Sequence, residues 1–142
     1  MGDILDYSDK SLISLWEWYE TKIEMVLKDE NEYQNELKQY PEWLRGEISN
    51  KKFSYSMLKY ALDVSIYFAE VVIKNSGGKI EWGYFTTPKR RDSVNEPVLL
   101  GFRNNIDMNP RQIILNATRR SSKERESARL YNLYVTWKEY ID

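Results

Sequence analysis

Residues 54–84 read SYSMLKYALDVSIYFAEVVIKNSGGKIEWGY, and the order of signals in this stretch decides the fold class. Ser54 follows Phe53 and can accept the first free backbone N–H groups of a helix. Leu58, Leu62, Ile66, Phe68, Ala69, Val72 and Ile73 then spread around most sides of a helix running to Asn75, a breadth that predicts a central, largely buried element. Gly77-Gly78 supplies the left-handed backbone that ends such a helix. Beyond it the period changes from 3.6 to 2. Ile80, Trp82 and Tyr84 alternate with Lys79, Glu81 and Gly83, as in a strand over 79–86 that packs its aromatic row into the core.

Working downstream, Pro97-Val-Leu-Leu-Gly-Phe predicts a second strand over 97–103, antiparallel to the first across the polar, Pro88-containing loop Thr87–Glu96. Asn109-Pro110 reads as a cap followed by a first-turn proline. Ile113, Ile114 and Leu115 after it fit either a helix or a third strand. Ser121-Ser-Lys-Glu has capping-box spacing and opens a terminal helix over 122–141, with Leu130, Leu133, Tyr134, Trp137 and Ile141 on its inner side.

Upstream, Leu12, Leu15, Trp16, Tyr19, Ile23, Val26 and Leu27 recur at three-and-four spacing and predict a helix over 9–28. Asp29-Glu-Asn-Glu opens a second helix over 30–40 with carboxylates where the macrodipole favours them. Pro41 starts a short helix to about Ile48, followed by a polar loop Ser49–Lys52. The order is N-terminal helices, a small antiparallel sheet and a C-terminal helix: a single α+β domain over 1–142.

At 142 residues, 42% apolar and 14% aromatic, the chain has enough for one core. Net charge is −1, which argues against a strongly basic nucleic-acid binder, but the charge is unevenly placed. Residues 1–70 hold 14 acidic against 8 basic side chains, and residues 71–142 hold 8 against 13. There is no cysteine and no histidine. Disulfides, thiolate and imidazole metal ligands, and Ser-His or Cys-His nucleophilic sites are thereby excluded. A carboxylate-lysine nuclease pattern and a phosphate-cradling glycine loop are also missing, and neither a cofactor nor a metal is expected. The N-terminal residues lack the cationic and apolar regions of a signal peptide, and no apolar run is long enough to span a bilayer, so the expected location is cytoplasmic.

Tyr67-Phe-Ala-Glu-Val-Val-Ile-Lys-Asn-Ser-Gly-Gly-Lys-Ile-Glu-Trp-Gly, then Glu96-Pro-Val-Leu-Leu-Gly-Phe, then Met108-Asn-Pro resembles a pattern in small bacterial families of uncharacterised or immunity type. The resemblance covers residues 60–116, and its motifs are structural. It implies a bacterial cytoplasmic protein that binds and neutralises a toxin.

Three functional classes follow. The first is a non-catalytic protein-binding module whose contact surface draws on Asp29, Glu30, Glu32 and Glu36, with Trp18 and Met25 as apolar anchors on one flank of the first helix. The second is a nucleic-acid-associated protein using Lys89, Arg90 and Arg91 with Arg119 and Arg120. The third is a small enzyme or ligand-binding domain relying on Glu70, Tyr67 or Lys79. For Glu70 the structural alternative is a carboxylate satisfied by an arginine or a tryptophan N–H. Core packing is expected for Trp16, Trp43 and Trp137.

Overall fold

The computed structural model describes residues 5–84 and 96–142. Its axis is α3 (Tyr55–Lys74), twenty residues long, which starts where Ser54 Oγ accepts the Met57 N–H at 3.1 Å. The helix ends just before Gly77 and Gly78, whose φ values of +67° and +82° are open to glycine at little cost. Around α3 lie α1 (Ser11–Glu20), α4 (Pro110–Lys123) and α5 (Arg129–Lys138). Their apolar sides meet in one cluster: Leu12, Trp16 and Tyr19 from α1, Val64, Phe68 and Val72 from α3, Ile114 from α4, Leu130 from α5. Burying each large side chain contributes roughly 1.5–3 kcal/mol, so this cluster dominates the stability.

β3 (Glu81–Tyr84) pairs antiparallel with β4 (Pro97–Leu100), in a register running from Glu81 opposite Leu100 to Tyr84 opposite Pro97. Leu99 also bridges to Met108, which ties the sheet to the start of α4. β4 must stop at Gly101. That residue sits at φ +112°, and a Cβ there would lie 2.1 Å from the Lys79 carbonyl oxygen. The strand prediction of 97–103 therefore contracts to Pro97–Leu100, and Arg103–Asn105 form a 3₁₀ turn. The prediction of 79–86 contracts to Glu81–Tyr84, with 85 and 86 outside the described residues.

Two further expectations are corrected at the N-terminal end. The helix predicted over 9–28 stops at Glu20, and Met25–Leu27 form a strand, β1. Thr21 Oγ1 donates to the Trp18 carbonyl at 2.6 Å and closes the helix. The residues beyond it exchange local helix bonds for pairing with β2 (Lys51–Phe53), in the stretch read as a polar loop. Met25 lies opposite Phe53, and Leu27 opposite Lys51. Val26 and Leu27 keep helical spacing by sequence but are exposed, so they do not continue the buried stripe. Between the two strands, α2 (Glu30–Leu37) and a 3₁₀ helix (Glu42–Glu47) match the expected helical segments.

At the C-terminal end the open choice after Pro110 resolves as helix, because Asn109 Oδ1 accepts the Gln112 N–H at 3.2 Å and Pro110 occupies the first turn. The capping-box reading of Ser121 fails. Ser121 is buried in the last turn of α4, and the next helix begins only at Arg129 and ends at Lys138. The architecture as a whole is α+β.

Candidate interaction surface

The predicted breadth of the α3 apolar surface is real, but part of it is uncovered. Tyr55, Leu58, Leu62 and Ile66 are exposed, at 76%, 42%, 50% and 47%. Leu58, Leu62 and Ile66 are four apart and form one row along the helix. The other side of the same turns, Met57, Ala61 and Val64, is buried, as are Phe68, Ala69, Val71 and Val72 further along α3. Beside Ile66 a shallow groove opens, lined also by Glu70, Trp82, Gly83, Tyr84 and Pro97. Trp82 Nε1 donates to Glu70 Oε1 at 3.0 Å, which satisfies that carboxylate in the way the structural alternative anticipated and fixes the indole at the rim. The expected burial of Trp82 and Tyr84 is corrected: both are exposed. So is the expected burial of Trp43, which is 81% exposed, while Trp16 is fully buried and Trp137 packs against Phe102 at the core edge.

Together Tyr55, Leu58, Leu62, Ile66, Trp82 and Tyr84 expose on the order of 600 Å² of mainly apolar surface, taking each at its exposed fraction of a typical side chain. That reaches the upper end of what ordinary monomers show and approaches the roughly 800 Å² that each side of a stable interface buries.

The acidic segment has a different character. Asp29 caps α2, its Oδ2 accepting the Asn31 and Glu32 N–H groups at 3.1 and 3.3 Å. Glu30 accepts from Gln34 Nε2 at 2.9 Å. Glu32 pairs with Lys52 at 3.1 Å, and Glu36 with Lys28 at 2.5 Å. All four carboxylates are thus gathered on α2 and its cap, each with a partner. Met25 is exposed on β1, opposite Phe53. Trp18 is half-buried, edge-on to Tyr60 with ring centroids 5.7 Å apart and with the Lys22 ammonium 5.6 Å from its ring centre. It packs with α3 rather than with α2.

Lys89, Arg90 and Arg91 lie outside the described residues. Arg119 Nη1 donates to Asn116 on its own helix at 2.9 Å. The three residues proposed for a small-molecule site are each engaged with different partners. Tyr67 hydroxyl accepts the Tyr7 N–H and shares a hydrogen bond with Ser11, and Lys79 reaches the Asp142 carbonyl. Only Glu70 lines the groove. Among the described residues no group of three acidic side chains is arranged to hold a metal ion, and no helix is long and apolar enough to cross a membrane.

A buried polar knot at the junction of α1, α4 and α5 escaped the sequence reading. Ser121 Oγ donates to Glu20 Oε2 at 2.7 Å and accepts from Trp16 Nε1 at 3.1 Å and Arg129 Nε at 2.9 Å. Glu20, also buried, takes a second hydrogen bond from the Glu126 N–H at 2.8 Å. One signal was available: Glu20 stands four residues after Trp16, on the buried side of α1, where an apolar residue is the norm. Beside the knot, Tyr19 hydroxyl bonds Thr118 Oγ1 at 2.8 Å, and burial pushes the Tyr19 pKa up to about 12, against a small opposing effect of that hydrogen bond.

Comparison of the chain with protein-family models, with curated protein sequences and with solved structures finds no match in any of the three. The resemblance to immunity-type families rests on the quoted residues alone.

Proposed function

We propose that this protein is a non-catalytic protein-binding module, and that its contact face is the exposed row Tyr55, Leu58, Leu62 and Ile66 of α3 with the adjoining Trp82 and Tyr84 of β3. The observation that carries this reading is the apolar surface contributed by two elements, left exposed on one side of α3 while Met57, Ala61 and Val64 on the other side of the same turns are buried. Apolar area of this extent costs solubility unless a partner covers it. A rigid helix with an aromatic rim held by the Trp82–Glu70 hydrogen bond loses little conformational freedom on binding.

The partner is another folded protein presenting an apolar ridge to the groove. In its most specific form, following the resemblance, it is a toxin domain blocked by direct contact. The carboxylates of α2, each already engaged by a partner within the chain, act in this reading at the rim, where charge governs encounter more than affinity.

The test is co-expression with the products of adjacent genes, followed by affinity capture and growth measurement. A 1:1 complex that rescues growth, lost with Leu62→Asp and kept with Glu32→Gln, is the expected result. Leu62→Asp should leave the fold intact, since the side chain is half-exposed. Two results overturn the proposal: no complex and no rescue with the unaltered chain, or a homodimer at micromolar concentration that Leu62→Asp converts to monomer.

A further inference from the structure

A second concavity is independent of the apolar face. Between α4 and α5 a cavity of about 320 Å³ is lined by Arg120, Glu126, Arg129 and Asn132, with Ile113 and Leu133 as an apolar wall. Arg129 is anchored on two sides. Its Nε donates to Ser121, itself saturated by Glu20 and Trp16, and its Nη2 donates to the Glu124 carbonyl at 2.6 Å. Its side chain is only 13% exposed, and the nearest carboxylate, Glu126, stands 3.9 Å away, beyond hydrogen-bond reach. Among the described residues its Nη1 has no acceptor, and the Arg120 guanidinium has none at all.

We infer that this cavity binds a small organic monocarboxylate through Arg120 and Arg129, with the acid's apolar tail against Ile113 and Leu133. Two guanidiniums sharing a partly enclosed space repel one another, and a carboxylate placed between them relieves that repulsion while filling planar donor edges suited to it. Because the buried knot already holds Arg129, little ordering remains to oppose binding. Glu126 sets the charge. The lining carries two arginines and one glutamate, and the buried Glu20 carboxylate behind Ser121 offsets part of the remaining positive charge, so the site suits a single negative charge and disfavours a second.

Titration of the full chain with acetate, butyrate and sulfate at constant ionic strength, followed by ¹H–¹⁵N spectra that include the arginine Nε–H signals, tests the assignment. Butyrate should shift the Arg129 Nε–H and the Asn132 amide saturably. It should bind about fifteenfold more tightly than acetate, at roughly fourfold for each of the two added methylenes placed on the apolar wall. Sulfate should bind more weakly than butyrate, and Glu126→Gln should narrow that gap. Arg120→Ala, altering an exposed side chain with no protein partner, should keep the melting temperature while weakening butyrate about tenfold or more, as loss of a charged hydrogen-bonding partner does. The proposal falls if butyrate gives no saturable shift, if sulfate binds most tightly, or if Arg120→Ala binds butyrate as well as the unaltered chain.

Discussion

Replacing Ser121 by alanine removes one oxygen atom from the point where three helices are joined, and its cost can be worked from the partners left behind. Trp16 Nε1–H loses its acceptor in a side chain with no solvent exposure, and an orphaned buried donor costs about 1–3 kcal/mol. Glu20 loses its shorter hydrogen bond but keeps the Glu126 N–H, and Arg129 keeps the Glu124 carbonyl. These later losses are partial and overlap with the first, so the total comes to about 3 kcal/mol rather than the full sum. For a chain of 142 residues that corresponds to a fall in melting temperature of roughly 10 °C.

The matched control is Ser122→Ala, one residue on, where the hydroxyl is exposed and donates only to the Arg119 carbonyl. Both substitutions gain the same small amount of helix propensity, so their difference isolates the knot. Urea unfolding followed by tryptophan fluorescence should give a lower midpoint for Ser121→Ala at unchanged slope, and an unfolding free energy within about 0.5 kcal/mol of the parent for Ser122→Ala. Equal midpoints for the two variants would refute the view that the knot joins α1, α4 and α5.

Gly101→Ala should cost several times what Gly46→Ala does, because its Cβ would strike the Lys79 carbonyl in a backbone conformation closed to alanine, whereas nothing lies within 4 Å at Gly46; thermal melts of the two variants make the comparison. Stability should fall on the alkaline side between about pH 10 and 12. The Tyr19 pKa is raised in the folded state, so the unfolded chain loses that proton first and folding is opposed as pH rises towards the folded value, by up to about 3 kcal/mol. Tyr19→Phe should flatten that part of the pH profile of the urea midpoint, and an unchanged slope would count against the assignment.

How much of this was legible beforehand depended on whether the decisive interactions were local. The Ser54 cap, the span of α3, the paired glycines after it and the Asn109-Pro110 helix start are encoded within a few residues, and the backbone follows those signals. The change of period at Ile80 likewise announced a strand. Where the reading failed, a distant segment had intervened. Ile23, Val26 and Leu27 kept helical spacing, yet Met25–Leu27 found backbone partners in Lys51–Phe53, about 25 residues away, which no local pattern states. Ser121 had the spacing of a helix start but went into the end of a helix, because Glu20, Trp16 and Arg129 together could satisfy its hydroxyl there.

The candidate surfaces divide in the same way. An apolar residue on a helix is written in the sequence, but whether another element covers it is not. Leu62 and Val72 look alike as letters on α3, and only the placement of the other elements buries Val72 and leaves Leu62 bare. The sequence by itself determined the fold class, the ends of the long helix and the absence of imidazole and thiol chemistry, all from short-range periodicity and composition. Tertiary structure alone decided which apolar faces remain open, which carboxylates are paired and that Arg120 and Arg129 line one cavity, because each depends on contacts between segments apart in the chain.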